Sequence, residues 1–395
     1  MRHVYVPAVA VATLLLNASP TSARTWIVDL NGSGDATTIQ GGVNHAGPGD
    51  SVLVLPGTYR EQVNLTRDDL VIAGAFGPDA TIVDAESMTY CLRSNSGVTK
   101  SVISGLTFTG AARTTYGTLS LAVRLTGDAE IYDCAFRDNE SFRGSALSGE
   151  GDLYVENSWF VNNFGSGDWS PDPDCGWPCI GWIGTVEVER CRFEDNVGIC
   201  FATIAVDTGP VTIRNSVFVN NETTTWPGGL FGSFSGSWVV ENNLFVGNNA
   251  IPFSDFFDEP IPMVVQNNTF AANHVLEVEQ PIPAAPGSII RANVFSGGNI
   301  GLHLPPGGGG IVVECNDSWG NDVNWKGFDP SGTNGNISVP PLYCNAPLDD
   351  FRVAVNSPLL PQNNECGVPI GAFGVGCGTV SIESMSWGRI KGQYR

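Results

Sequence analysis

The sequence predicts one all-β domain, a parallel β-helix in which each turn of chain stacks on the last. Three observations predict it: a repeat near 25 residues, a constant offset between an aromatic and an Asn inside that repeat, and no helical periodicity within the repeats. The recurring unit is a β-branched run, one or two Asn or small polar residues, an aromatic, then Asn three positions on. It occurs as IYDCAFRDN (Ile131 to Asn139), VENSWFVNN (Val155 to Asn163), VERCRFEDN (Val188 to Asn196), IRNSVFVNN (Ile213 to Asn221), VENNLFVGN (Val240 to Asn248) and VQNNTFAAN (Val265 to Asn273). Weaker copies surround Phe108 and Phe295, so the central aromatics are Phe108, Phe136, Phe160, Phe193, Phe218, Phe245, Phe270 and Phe295.

The physics of stacking explains the pattern. Two or three strand-like stretches per unit, separated by Gly, Asn or Pro, disfavour the helical repeats and the leucine-rich repeat. When coils stack at the interstrand spacing of about 4.8 Å, equivalent side chains form columns. A Phe column fills the interior. An Asn column pairs amide to amide along the axis and tolerates the left-handed backbone of a tight turn.

Taken from the start of the chain, Arg2, His3, the apolar run Val4 to Leu16 and the small residues Thr21 and Ala23 read as an export signal over residues 1–23. The run is short for a bilayer span. The apolar positions Ile39, Val43 and Ala46, ahead of a Gly/Pro stop, predict an amphipathic helix over residues 36 to 46 that caps the open end of the stack. A strand and turn follow over Ser51 to Glu61. The β-helix is expected over residues 24–378, ending in an irregular Cys-linked segment. Residues 379–395 form a basic, aromatic tail on an otherwise acidic chain.

Charge narrows the partners. With 19 Lys and Arg against 40 Asp and Glu, the formal net charge is −21, which argues against nucleic acid and anionic membrane surfaces. An exported chain with ten Cys is expected to carry disulfides.

The segment GSGDATTIQGGVNHAGPGDSVLVLPGTYREQV (Gly32 to Val63) resembles the opening of right-handed parallel β-helix proteins of the pectin lyase-like superfamily, including pectin methylesterases. The later units are similar to PbH1 repeats. The resemblance spans roughly Thr25 to Cys377 and implies the fold; the superfamily holds lyases, hydrolases, esterases, epimerases and noncatalytic proteins, so it leaves activity open. Matched residue by residue, the catalytic motifs are missing. There is no Gln-Asp-Thr-Leu, Leu-Gly-Arg-Pro-Trp, Trp-Ile-Asp-His or Gly-His-Gly. Only Gly57-x-Tyr59-x-Glu61 of the methylesterase pattern is retained, and in a β-helix it belongs to the first turn.

The remaining catalytic candidates are weak. Asp138 and Asp195 each follow an aromatic by two residues and sit about two coils, roughly 10 Å, apart with Asn162 between them, just beyond the separation an inverting hydrolase uses. Arg137 and Arg143 are the nearest bases upstream of the Trp-rich insertion, and a lyase can use Arg as base with Ca²⁺ acidifying the α-proton. That insertion, Gly165 to Trp182, accounts for the longest spacing between aromatics. Its Trp169, Trp177 and Trp182 are expected to stack on sugar rings, and Asp168, Asp172 and Asp174 to offer oxygens to Ca²⁺, the one cofactor the sequence suggests. The spacing of Cys175, Cys179, Cys191 and Cys200 lacks zinc knuckles. Cys134 and Cys191 share a repeat position two coils apart, too far to bridge. Cys366 is expected to pair with Cys377, and Cys315 with Cys344. The expectation is a secreted protein whose partner is a polysaccharide or cell-surface glycan, noncatalytic or structural in role; the alternative is a divergent lyase, hydrolase or epimerase.

Overall fold

The computed structural model describes residues 23–112, 120–142, 146–166, 178–199, 201–224, 229–233, 235–249, 251–255, 260–274 and 282–380. The export-signal reading therefore lies outside the described residues except for Ala23, and so does the tail from residue 381. Arg143, Asp168, Trp169, Asp172, Asp174 and Trp177 also lie outside them.

Three long parallel sheets run the length of the molecule. Sheet A has 12 strands, from Thr25–Val28 to Val312–Glu314; sheet B has 11, from Gly57–Arg60 to Asp317–Trp319; sheet C has 8, from Val63–Leu65 to Ile251–Asp255. One coil runs through Asp128–Tyr132 in sheet A, Ala135–Arg137 in B, the short strand Glu140–Phe142, and Leu147–Glu150 in C. It re-enters sheet A at Leu153–Glu156, directly beside its starting strand. The result is a right-handed parallel β-helix of about 12 turns.

The interior follows the predicted columns. Phe108, Phe136, Phe160, Phe193, Phe218, Phe245, Phe270 and Phe295 are register partners on successive strands of sheet B. From Phe136 to Phe295 the consecutive ring centroids lie 4.5–4.9 Å apart with nearly parallel planes. The six rings from Phe108 to Phe245 remove their whole apolar surface from water and Phe270 and Phe295 nearly all of it, about 1.5–3 kcal/mol of transfer free energy per residue.

Asn ladders satisfy the polar backbone at the corners. Asn139, Asn163, Asn196, Asn221, Asn248 and Asn273 form one: each side-chain amide donates to the next side-chain oxygen at 2.9–3.0 Å. The same amides donate to the carbonyl oxygens of Phe108, Phe136, Phe160, Phe193, Phe218 and Phe245. The left-handed residue is not the ladder Asn but the one before it: Asp138, Asn162, Asp195 and Asn220 have φ of 52–54°. Turning the chain and pairing the amide are thus divided between neighbours. A second ladder, Asn243, Asn268, Asn293, Asn316 and Asn336, lines the corner between sheets A and B. Cys134, Ser158, Cys191 and Ser216 continue that column toward the N-terminus, with Ser158 and Ser216 hydroxyls accepting the Cys134 and Cys191 amides.

The N-terminal cap is shorter than predicted. The helix is Ile39–His45, capped by Thr38, whose hydroxyl accepts the Gly41 amide. Asp35, ahead of the helix, accepts the Ile27 amide. The Glu61 carboxylate takes the first two helical amides, Ile39 at 2.7 Å and Gln40 at 2.9 Å, while the buried Tyr59 hydroxyl donates to the Leu55 carbonyl at 2.9 Å. The retained Gly57-x-Tyr59-x-Glu61 is therefore the joint between cap and first coil. At Gly42 any Cβ would lie 2.6 Å from Val28, so Gly lets the helix close on the end of the interior.

At the other end the expected disulfide partners are exchanged. Cys315 bonds Cys366 and Cys344 bonds Cys377, with Cα separations of 6.0 and 5.8 Å. The reason is that residues 342–377 do not close a coil. They fold back as a small three-stranded sheet, Tyr343–Asn345, Asp350–Ala354 and Val375–Cys377. This segment lays Tyr343, Phe351, Val353, Leu359, Leu360 and Ile370 over Leu244, Val246, Ala271 and Val294 on the outer face of sheet B. One disulfide ties it to the stack and the other braces it internally.

Candidate functional site

Sheet C is the face to which the loops lead. On its strands Leu92, Val123, Leu147, Ile180 and Ile204 point inward and are buried. Their neighbours one residue on form an outward column: Asn64, Arg93, Arg124, Ser148, Gly181, Ala205 and Gly232. Arg93 and Arg124 are register partners on adjacent strands. Two like charges held directly opposite across a strand pair oppose the pairing. Beyond Ser148 the column turns to the small residues Gly181, Ala205 and Gly232, which are buried.

The two arginines are held differently. Arg93 donates through Nε to the Asn64 side chain at 2.6 Å and lies over the Tyr90 ring at 4.5 Å; Tyr90 donates its hydroxyl to the same Asn64 oxygen at 3.3 Å. Arg124 is exposed and makes no ion pair among the described residues. It opens onto a groove of about 300 Å³ whose walls include Thr126, Ser148, Glu150, Ile183 and Asp207. Glu150 and Asp207 share an outward column with Ile183 between them, two coils apart. A guanidinium with free donors offers a planar fork to carboxylate or sulfate oxygens.

The residues singled out from sequence are dispersed. Trp182 is 1% exposed: it points into the interior of sheet C, over Gly149, and donates its indole N–H to the Gly151 carbonyl at 2.8 Å. It is a core side chain, not a platform for sugar, because its register position is an inward one. Asp138 and Asp195 are exposed residues of the left-handed turn, and the Asn162 amide donates to Asp138; Asp and Asn are the side chains that tolerate that backbone. Arg137 lies on the outer face of sheet B, 3.0 Å from Asp79 in an ion pair, away from the sheet C groove. Arg93 and Arg124 went unseen although a signal existed: Leu92-Arg93-Ser94 and Val123-Arg124-Leu125 are similar triplets 31 residues apart, outside the Phe-centred unit.

Two other features are poor sites. A groove of about 420 Å³ on sheet A is acidic, but Lys100 pairs with Glu130 at 3.4 Å and the hydroxyls of Tyr132 and Tyr154 donate to Glu130 and Glu156. The thiols of Cys91, Cys134 and Cys191 are pushed up to about 12 by burial, which leaves them unreactive. Among the described residues no group of three or more metal-ligating side chains gathers, and no helix is long and apolar enough to cross a membrane.

No protein-family model matches the chain, and no curated protein matches it. Solved structures do. Pectate lyase Pel9A is similar over 90% of this chain and 97% of its own, at 16% identity and a TM-score of 0.51. A pectin methylesterase from carrot aligns over 62% of this chain and 82% of its own, at 14% identity and a TM-score of 0.37. A PL6 family alginate lyase, AlyGC, aligns over 81% of this chain and 54% of its own, at 13% identity and a TM-score of 0.39. At such identity what is shared with Pel9A is the path of the backbone. With parallel sheets, stacked coils and a helical cap, the chain is a right-handed parallel β-helix protein of pectin lyase-like fold.

Proposed function

We propose that this is an exported protein that binds an anionic polysaccharide along the outer face of sheet C without cleaving it. The observation that carries the reading is the Arg93–Arg124 pair, two guanidinium groups opposite each other on adjacent strands of a chain whose formal charge is −21. Their mutual repulsion is relieved by a ligand that brings negative charge between them, and the acidic remainder of the surface disfavours anions elsewhere. Carboxylated or sulfated sugars fit the fork chemistry. The loop residues Trp169 and Trp177 lead into this face in sequence and would add ring stacking; Asp168, Asp172 and Asp174 would hold a bridging Ca²⁺. The export signal expected from residues 1–23 and the two disulfides support an extracytoplasmic location.

A second reading rests on the same groove. Arg124, Glu150 and Asp207 line one cavity, and a base beside carboxylates is what a divergent lyase or hydrolase needs. Residues 24–395 incubated with neutral, carboxylated and sulfated polysaccharides, with Ca²⁺ and with chelator, separate the two. Retardation in affinity electrophoresis that is lost in the R93A/R124A protein, with no unsaturated product and no new reducing ends, supports binding alone. Unsaturated product identifies a lyase, and reducing ends without it identify a hydrolase. Binding that survives R93A/R124A rejects this face as the site.

A further inference from the structure

The outer face of sheet B carries an ionisable group that neither the fold nor the sheet C groove uses. Asp317 ends the Leu244, Thr269, Val294 column of that sheet, directly under the C-terminal segment. Its side chain is 0% exposed. One carboxyl oxygen accepts the Val339 amide at 3.0 Å; the other, Oδ2, is buried with no hydrogen-bond partner. Val339 belongs to the strand-like stretch that leads into the covering segment and bridges Asp317 through Ile337.

The surroundings offer no compensation. The titratable group that faces Asp317 from the covering segment is the Tyr343 phenol, 3% exposed and hydrogen-bonded at 3.0 Å to the neutral Ser296 hydroxyl of sheet B. The residues beside Asp317 on sheet B, Val294 and Ser318, are uncharged. Among the described residues no cation acts on it: burial raises its pKa well above the usual 3.8, opposed only by the Val339 hydrogen bond. A buried carboxylate with an unpaired oxygen is costly, so the closed structure favours the neutral acid.

We propose that Asp317 makes closure of the C-terminal segment over sheet B depend on pH, the segment seating on the protonated carboxyl and loosening as the proton leaves. The sign follows from linkage. Because the carboxyl holds its proton more tightly when closed than when opened to water, closing binds a proton. Closure is therefore strongest in acid, at and below the ordinary carboxyl value, and weakens as pH rises toward the closed-state value. Above that value the weakening levels off. The disulfides keep the opened segment tethered, so the change is local and reversible.

The test is amide hydrogen exchange on the intact, oxidised protein across pH 4 to 8, corrected for intrinsic exchange. The opening constant at Val339, at the entry to the covering segment, and at Val353 and Ala354 within it is expected to rise by up to tenfold per pH unit, while that of Phe193 in the central coils stays flat. In D317N, which keeps an oxygen for Val339 and carries no charge, the pH dependence at the cover is expected to vanish, with exchange at neutral pH slowed to the acid level. A flat profile in the unmodified protein overturns the proposal, and needs no variant to be seen. A D317N profile as steep as the original overturns it equally.

Discussion

Sheets B and C present the same kind of inner face and opposite outer faces. Inside, both stack large apolar side chains in register, Phe136 on Phe160 in one and Val123 on Leu147 in the other. Outside, the C-terminal half of sheet B shows Leu244, Val246, Ala271 and Val294, and the chain folds back to cover them. The corresponding outward column of sheet C carries the polar side chains of Arg93, Arg124 and Ser148 instead. In a solenoid the inward residues set the stack, so the outward ones are free to decide what each face does. Here one face is closed by its own chain, and the other is the one we propose for a ligand.

Substitutions sharpen the contrast, and the largest effect is expected in the shared interior. Phe193→Ala removes one ring from the middle of the column and should lower unfolding free energy by about 3–5 kcal/mol in denaturant titration. A smaller effect of the exterior cover is expected from C344S/C377S, about 2–4 kcal/mol, with proteolysis beginning in residues 342–377 while the stack stays resistant. Asn196→Ala strands the Phe160 carbonyl and the Asn163 amide, and should cost about 2–3 kcal/mol by the same titration. At the cap, Glu61→Ala leaves the Ile39 and Gln40 amides without their acceptor, for about 1 kcal/mol. Arg124→Ala should move stability by no more than about 0.5 kcal/mol, yet weaken retention by an anionic polysaccharide several-fold; equal loss of stability and of binding would assign Arg124 to the scaffold instead.

The sequence made the inner half of this architecture legible because a stacked coil repeats its constraints. A Phe that must meet another Phe at every turn, and an Asn that must meet another Asn, leave a fixed offset that can be read without coordinates. The same logic could be carried too far: Asp138 and Asp195 look like an acid pair, but they recur because the turn before each ladder Asn is left-handed. Trp182 looks like surface chemistry in an insertion, yet two residues after Ile180 it returns to an inward position. The outward column of sheet C was harder to see, since its strands are joined by loops of varying length and carry no aromatic marker.

The repeat and the ladders are legible in the amino-acid order because each residue answers to a neighbour one coil away, and the capping helix because its apolar spacing is local. Contacts across many coils leave no such trace in the order of residues. Cys315 meets Cys366 and Cys344 meets Cys377 because the last segment turns back over sheet B instead of adding another coil. Arg93 meets Arg124 because two loops of unequal length deliver their strands in register. Local periodicity specifies the stacking of coils, whereas the partners of a chain that leaves the stack are chosen by whichever surface it can bury.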